Sequence, residues 1–526
     1  MRKNQANFDA DSKFSLIFSK YTGFLLGIFS LALVVRFYFF PFEAPLTSDA
    51  LYYFWYSSDI FQIGGLPKDW SPANNGWPIF VGFFFTVLDS KDVFTLMQIQ
   101  RLLSVIISIL IIIPVYFLCK KFVARKFAII GASLVGFDPR LIINSFLGVT
   151  EPLYILLMTT SLVLFLCSNK KLVYFSFVLV SLATVVRSEG LAFFVVLSIM
   201  FFIRYRKENY KVFVKYLLVL GILLVIILPV SIYQIEVNGS DKIFMRSFSG
   251  GEKLVSDLIS NDSGYGDSNK IISGLEIITK YLVWITIPNF IIFIPLGLFL
   301  IFKKRNLEKN TIILSLGIML VPALYAYTIP VLDTRYLYVL FPMFSVLSVL
   351  SIERIVGKLN RSNIIIVIVI SAIILTSVLF YDYKKIDYEH EKESFEIMKE
   401  ISKKVNGVNS LSTESRYLST VQTMNQWPNL YSEIQFNILI IPYGNDNSLQ
   451  NFILNSKDKG LTHIMIDDNK KRPDFLKELF IEEEKYTYLK KIYDSKSNGF
   501  EYQVKVFEIN YELFNSLKDN MVLEQE

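Results

Sequence analysis

Charged side chains recur at the ends of the apolar runs of this sequence, which places their chemistry near a membrane surface. The candidates are Asp49, Arg101, Glu151, Arg187, Asp333 and Arg335. A charge in the bilayer core costs about 2.5–3.5 kcal/mol on insertion scales, so charges near membrane depth are candidates for function. Arginine binds phosphate oxygens through paired N–H donors, and a carboxylate can deprotonate an incoming hydroxyl. These residue types therefore suit an anionic lipid headgroup as a ligand.

Each candidate also has a purely structural interpretation. Asp49 and Glu151 stand at predicted helix starts, where an acid offsets the helix dipole by about 0.3–1 kcal/mol. Arg187 could simply pair with Glu189, and Arg335 could extend to the membrane interface. The joint pattern favours function, because an anchoring role would scatter arginines over both sides of the membrane.

The elements that would position these residues are membrane helices. The chain has 526 residues, 53% of them hydrophobic, and a mean hydropathy of +0.44, which exceeds the usual composition of a soluble domain. About eleven apolar runs approach the roughly 20 residues that a span needs. They lie at about 16–40, 98–119, 127–148, 152–168, 172–187, 190–204, 213–233, 275–302, 311–329, 335–352 and 363–381.

Basic clusters fix the predicted orientation. They fall at 120–126, 170–171, 204–215, 303–309 and 354–361. With about eleven spans, all of them share the side of the N-terminus, which the positive-inside rule makes cytoplasmic. The run Pro78–Leu88 is too short to count as a span, and the candidate site residues fall on the outer side. The net charge of +6 thus orients the protein and does not indicate a nucleic-acid partner.

We therefore expect an integral cell-membrane protein with two domains. Residues 1–381 form a transmembrane domain with a long first outer loop, 41–97, whose aromatic segment Ser48–Asp59 predicts a helix at the headgroup level. Residues 382–526 form a soluble, extracytoplasmic α/β domain. Its predicted elements are a helix at Tyr388–Val405, strands at Ile438–Pro442 and Leu461–Asp467, helices at Ser448–Ser456 and Pro473–Glu482, and a closing hairpin of Tyr486–Tyr493 with Phe500–Ile509. The polar loop 234–274 is a candidate lid.

Cysteine and histidine are too few to support several other kinds of site. Cys119 and Cys167 each lie beside a lysine pair at the inner boundary, so no structural disulfide is expected. His390 and His463 both fall outside the membrane part. A histidine-based metal site or histidine-dependent nucleophilic catalysis within the membrane is thereby excluded.

The motifs around the charged residues resemble those of the GT-C glycosyltransferases, multi-span enzymes that use lipid-phosphate sugars. The likeness is greatest to the protein O-mannosyltransferase and aminoarabinose-transferase branch. The matching pieces are Thr-Ser-Asp49-Ala-Leu-Tyr-Tyr, Trp70-Ser-Pro, Gly76-Trp-Pro, Arg101-Leu-Leu-Ser, Asp138-Pro-Arg, Gly148-Val-Thr-Glu151-Pro-Leu, Val-Arg187-Ser-Glu-Gly and Thr-Arg335-Tyr-Leu. Each is short, and their order and shared side carry the resemblance, which covers most of 1–381.

The resemblance implies roles for these residues. Asp49 would be the catalytic base, and Arg101 and Arg335 would hold the donor phosphate. Further substrate contacts are assigned to Trp70, Arg187, Asp333 and Tyr336. Relatives often carry an Asp-Glu pair where this chain has Asp49-Ala50, so the second acid is either Glu151 or absent. The sequence specifies no cofactor, and it leaves open a divalent ion, Mg²⁺ or Mn²⁺, that would bridge Asp49, Glu151 and phosphate.

The implied reaction is inverting transfer of a sugar, a hexose such as mannose, from a polyprenyl- or dolichyl-phosphate donor. The acceptor would be an extracytoplasmic protein hydroxyl, lipid or glycan. A site that faces outward has no supply of cytosolic nucleotide sugars, which favours a lipid-phosphate donor. Phosphate is a good leaving group and needs no general acid. One general base, which raises the rate by about 10²–10⁴-fold, and cationic groups that bind the phosphate therefore suffice. The Trp-Trp-Asp-Tyr-Gly motif of oligosaccharyltransferases is missing from this tail, so en bloc glycan transfer is not expected.

Two other classes of function compete with this interpretation. A flippase or transporter of lipid-linked glycans would need midplane charges and typically has inverted repeats, and the sequence shows neither. A receptor-like scaffold would lose its role without 382–526 while the charges at the outer rim remained dispensable.

Overall fold

The structure is a computed structural model. It describes residues 20–523 apart from 246–267, 405–408, 412–438, 442–445 and positions 91, 304, 330, 358, 360–361, 385 and 471. Most of the predicted lid, 234–274, therefore lies outside the described residues.

Helices make up most of the described chain up to residue 404, since an apolar run can satisfy its backbone N–H and C=O groups in a membrane only by forming a helix. The first eight are α1 Lys20–Tyr38, α2 Ser48–Ile63, α3 Gly76–Leu88, α4 Val93–Leu110, α5 Ile112–Cys119, α6 Arg125–Gly136, α7 Pro139–Phe146 and α8 Glu151–Phe165. Next come α9 Lys170–Val186, α10 Gly190–Tyr205, α11 Lys211–Asn238, α12 Ser268–Thr286, α13 Ile294–Phe302 and α14 Leu307–Thr328. A 3₁₀ helix, Thr334–Leu340, leads into α15 Phe341–Val356, followed by α16 Ser362–Lys384 and α17 Glu389–Lys404.

Several of these helices suit a membrane. Among the described residues, five are long and apolar enough to cross it: Val93–Cys119, Lys211–Asn238, Leu307–Thr328, Thr334–Val356 and Asn363–Lys384. The pair α6 and α7 adds a sixth if it is counted as one span bent by 47°. The bend coincides with Pro139, which has no N–H to donate, and the Asp138 side chain accepts the N–H groups of Arg140 and Leu141. Other predicted spans form shorter helices, and the run 275–302 forms two, α12 and α13.

A buried arginine ties the first helix to its neighbours. Arg36 near the end of α1 is fully buried and donates to the Gly136 carbonyl of α6 at 2.8 Å and to Ser108 Oγ of α4 at 3.1 Å. Hydrogen bonds of this kind offset the cost of burying a charge.

The residue contacts divide the chain into two units. The first contains Met1–Phe40, Tyr56–Leu88 and Gln100–Lys385. The second contains Ile386–Glu526 and, in addition, Pro41–Trp55 and Asp89–Ile99 from the first outer loop. The start of α2, with Asp49, thus belongs to the second unit.

The second unit carries the strands. β1 Asn409–Leu411 pairs in parallel with β2 Leu439–Ile441, and β3 His463–Asp467, β5 Val504–Ile509 and β4 Leu489–Asp494 form an antiparallel sheet in that order. Helices α18 Leu449–Lys457, α19 Asp474–Ile481 and α20 Tyr511–Leu523 accompany them. The hairpin predicted for the end of the chain is present as β4 and β5. An apolar core of the second unit includes Phe452, Ile464, Leu479, Phe507 and Phe514.

Candidate active site

Glu151 lies at the centre of a cluster of charged residues in the first unit. It begins α8, and its side chain is only 5% exposed. Arg187, at the end of α9, places Nη1 at 2.5 Å from Glu151 Oε1. Arg335, in the 3₁₀ helix before α15, places Nη1 at 3.8 Å from the same oxygen. Residues from three separate segments therefore converge on one carboxylate.

Two further acids, Glu189 and Asp333, form ion pairs with these arginines. Glu189 Oε1 is 3.0 Å from Arg187 Nη2. Asp333 accepts twice from Arg335, through Oδ2 from the side-chain Nε at 2.6 Å and through Oδ1 from the backbone N–H at 2.9 Å. Three carboxylates thus contact the two guanidiniums, so another anion at these arginines would compete with a carboxylate.

Two tyrosines complete the walls. The Tyr336 ring centre is 5.4 Å and the Tyr154 ring centre 6.0 Å from the guanidinium carbon of Arg187, within the range of cation–π attraction. The Tyr154 hydroxyl is buried and has no hydrogen-bond partner in the described part of the chain. A buried, unsatisfied donor is costly, so this hydroxyl is suited to a ligand that brings an acceptor.

A small cavity opens between these groups. Its polar lining comes from Glu151, Tyr154, Arg187, Glu189, Arg335 and Tyr336. Its volume, about 10 Å³, holds roughly one water molecule. With Glu151 in this position, the cavity has no room for a group much larger than water.

The turn before Glu151 is held by buried side chains from other helices. Gly148 has a φ of +74°, a conformation that favours glycine, and its carbonyl accepts from Gln100 Nε2 at 2.8 Å and Trp77 Nε1 at 3.0 Å. Arg101, which is 2% exposed, donates from Nε to the Phe146 carbonyl at 2.7 Å. Arg101 thus bonds the backbone shortly before Glu151, and its role as a phosphate ligand stays a prediction.

The other predicted residues lie elsewhere. Trp70 donates from Nε1 to Asp59 Oδ2 at 2.7 Å and packs edge-on against Tyr56 at 5.2 Å, and it is not among the residues that line the Glu151 cavity. Asp49 lies exposed in the first turn of α2 and belongs to the second unit, whereas Glu151 and its two arginines belong to the first.

The charge environment bears on the divalent ion considered from the sequence. Across the ranges described, no group of three His, Cys, Asp or Glu side chains could hold a metal ion. Glu151 faces two guanidiniums, whose charge opposes a bound cation. The residues around Glu151 therefore do not fit a Mg²⁺ or Mn²⁺ ion, and no reaction step is assigned to one.

Sequence reasoning missed two members of the cluster. Thr150 Oγ1 accepts from Arg187 Nη1 at 3.2 Å, and Tyr154 follows Glu151 by three residues. The spacing of Tyr154 was the available signal, because residues three apart on a helix share a face.

Solved structures of two proteins share this fold. ArnT from Cupriavidus metallidurans bound to undecaprenyl phosphate aligns with a TM-score of 0.55 at 11% identity, covering 93% of this chain and 98% of that chain. The apo oligosaccharyltransferase from Archaeoglobus fulgidus aligns with a TM-score of 0.58 at 10% identity over 87% of this chain and 70% of that chain. The archaeal oligosaccharyltransferase AglB from Archaeoglobus fulgidus, in complex with an inhibitory peptide and a dolichol-phosphate, gives 0.53 at 11% identity over 85% and 70%.

No family model and no curated protein sequence matches this chain. The likeness to solved structures confirms, at the level of the fold, the resemblance to GT-C glycosyltransferases that the motifs indicated. The chain is a polytopic helical membrane protein with that fold.

Proposed function

We propose that this protein is a glycosyltransferase that moves a sugar from a polyprenyl-phosphate donor to an extracytoplasmic protein or glycan acceptor. The observation that carries the proposal is the pair of arginines, Arg187 and Arg335, converging on Glu151 beside a buried, unsatisfied Tyr154 hydroxyl. Support comes from the fold, since the similar ArnT structure contains undecaprenyl phosphate and an AglB structure contains a dolichol-phosphate.

The two arginines would bind the donor phosphate in place of the Glu151 carboxylate. Glu189 binds Arg187 and Asp333 binds Arg335. Because these pairs fix the two arginines, their N–H groups need little reorganisation when Glu151 withdraws. The Tyr154 hydroxyl would donate to a phosphate oxygen. The donor is a phosphodiester with one negative charge. When the bond to the sugar breaks, the lipid phosphate leaves as a monoester and gains a second negative charge. Fixed cations therefore stabilise the transition state more than the bound donor.

Asp49 would act as the base. It takes the proton of the acceptor hydroxyl while that oxygen forms a bond to the anomeric carbon of the sugar. The bond from the anomeric carbon to the phosphate oxygen breaks, and the lipid phosphate leaves with the electron pair. Attack from the face opposite the leaving group inverts the configuration. A hexose such as mannose is the proposed sugar.

The orientation belongs to the same proposal. The basic loops would face the cytoplasm, as the positive-inside rule requires. The N-terminus would then be cytoplasmic, and both Glu151 and the soluble C-terminal domain, 382–526, would face outward, where lipid-linked sugars are the available donors.

Membranes containing the protein, incubated with labelled polyprenyl-phosphate sugars, test this function. Mass spectrometry should identify a covalently labelled product, and Asp49→Asn should lower its rate by about 10²–10⁴-fold, the usual contribution of a general base. Asp69→Asn is a matched control, since Asp69 is another exposed acid of the first outer loop. Near-normal turnover of Asp49→Asn contradicts the assignment of the base. Movement of labelled lipid across the membrane without any product would instead favour a flippase.

A further inference from the structure

A second cavity lies in the first unit, apart from the residues of the Glu151 cluster. It is a groove of about 540 Å³ between α1 and α16, and both helices pack against α6. Buried Ile129 of α6 contributes to its floor. Its walls are mostly apolar, the polar members being Lys126, Asn363 and Ser371, and they come from the parts of the helices nearest the basic loops. None of the candidate-site motifs discussed above includes them, although Lys126 belongs to the basic cluster 120–126.

Two glycines open the wall that α1 contributes. Gly23 and Gly27 are four residues apart and thus share a face of the helix. A Cβ atom built on either would meet nothing within 4 Å. The groove at this wall is therefore open because these side chains are absent, and a Cβ atom added at either glycine would enter open space.

The opposite wall comes from one face of α16, which is apolar at four positions and polar at two. The apolar residues are Ile366, Val367, Ile370 and Ile374, and the polar ones are Asn363 and Ser371. From Asn363 to Ile374 the helix rises about 17 Å, so the groove is long enough to follow an extended alkyl chain.

Charge is confined to one end of the groove. Lys126 lines it in the first turn of α6, and Asn363 lines it in the first turn of α16. The N-terminal turns of both helices add partial positive charge at this same end. An anionic group is thus favoured at the mouth and an apolar chain along the remainder.

We propose that this groove binds one anionic phospholipid from the leaflet next to the basic loops. Its phosphate would lie at Lys126, and one acyl chain would run between α1 and α16 past Gly27. The site is independent of the proposed sugar transfer, because it shares no residue with the Glu151 cluster.

Native mass spectrometry of the full-length protein in detergent, titrated with palmitoyl-oleoyl phosphatidylglycerol or phosphatidylcholine, tests this site. The wild type should hold one phosphatidylglycerol about fivefold more tightly than phosphatidylcholine, the effect of one lysine near an anionic headgroup. Lys126→Gln should lose that preference while binding of phosphatidylcholine is unchanged. Gly27→Leu should lose most binding of both lipids, because leucine fills the path of the tail.

Gly317→Leu serves as the matched control. Gly317 lies in α14, and a Cβ atom there also meets nothing within 4 Å. This variant should bind lipid as the wild type does, and its thermal unfolding should match that of Gly27→Leu. Equal binding of the two lipids by the wild type, or unchanged binding by Gly27→Leu, would overturn the proposal. So would conversion of a dimer to a monomer by Gly27→Leu with lipid retained, since the groove would then be an interface between copies.

Discussion

Each of the two units buries an arginine–carboxylate pair, and the pairs differ in how completely their polar atoms are satisfied. In the second unit, Arg472 donates to both oxygens of Asp467, from Nε at 2.8 Å and from Nη2 at 2.9 Å, and the Tyr502 hydroxyl adds a bond of 2.8 Å. In the first unit, Glu151 is shared unequally by two arginines, and the nearby Tyr154 hydroxyl has no partner within the described ranges.

The difference teaches how to tell a structural pair from a binding site. A bidentate pair with its remaining oxygen lone pairs satisfied gains nothing from a ligand. A carboxylate that neutralises two arginines beside a cavity and an unsatisfied hydroxyl can be replaced by another anion. We therefore expect substitutions at Asp467 and Arg472 to change stability, and substitutions around Glu151 to change donor binding and turnover.

The largest expected effect is on the folding of the second unit. Arg472→Gln leaves Asp467 buried without its counter-charge, which should destabilise the unit by about 3–5 kcal/mol. Limited proteolysis and thermal unfolding of the full chain measure this loss. The double variant Asp467→Leu with Arg472→Met should recover much of it, since it removes both charges. If Arg472→Gln unfolds as the wild type does, the pair is not the stabilising contact described.

The next effect is on sugar transfer. Arg187→Gln should lower kcat/KM by about 10²–10³-fold, the usual loss when one group that stabilises transition-state charge is removed. Arg187→Lys should recover only part, because lysine lacks the planar fork.

The control for Arg187 is Arg204→Gln. Arg204 is another partly buried arginine of the first unit, and it donates to the backbone carbonyls of Phe165 and Cys167. This variant should keep its turnover per folded molecule. Equal losses of turnover in the two variants would show a general defect and remove the special role of Arg187.

A smaller effect comes from two tyrosines, the buried Tyr154 and the partly buried Tyr502. Tyr502→Phe removes a hydrogen bond to a carboxylate and should cost about 1.5–3 kcal/mol of stability. Tyr154→Phe removes a hydroxyl without a partner, so stability should not fall, whereas the KM for the donor should rise about 3–10-fold, the effect of one hydrogen bond. Thermal unfolding and donor titration separate the two outcomes. A stability loss in Tyr154→Phe would mean that its hydroxyl is already satisfied.

The smallest effect is a dependence of stability on pH. Burial raises the pKa of Asp467, but the hydrogen bonds from Arg472 and Tyr502 outweigh it and hold that pKa below its usual value. The resulting stability is therefore present above the ordinary aspartate pKa of about 3.9 and is lost as the pH falls through the lowered value. Thermal unfolding between about pH 6 and about pH 3 should show this loss in the wild type. Arg472→Gln should lack it.

The sequence predicted that the charged residues would share a side, and it suggested the pair of Arg187 with Glu189. It did not predict which arginines would contact Glu151. The ends of apolar runs place Glu151, Arg187 and Arg335 at one level, since the positions of helix ends follow from hydropathy. Their roles as ligands stay predictions, and so do those of Asp333 and Tyr336, which also belong to the cluster. Contacts between residues far apart in sequence depend on packing, and hydropathy does not encode packing.

Arg101 and Trp70 illustrate what the pattern leaves undetermined. The sequence around Arg101 does not reveal the bond that its Nε donates to a backbone carbonyl 45 residues away. Its role as a phosphate ligand stays a prediction. Trp70 bonds Asp59 within its own loop. The C-terminal strands were easier to predict, because alternating apolar residues between turn residues specify a strand locally.

Glu151 contacts both Arg187 and Arg335, and this has a consequence for the catalytic cycle of the proposed enzyme. A carboxylate tethered beside two arginines competes with every free anion, so inorganic phosphate and chloride should occupy the site poorly. A donor whose lipid tail contributes its own binding energy can displace it. After transfer, the same carboxylate can return to the arginines and expel the spent lipid phosphate. A built-in competitor of this kind would favour product release at the cost of some affinity for the donor.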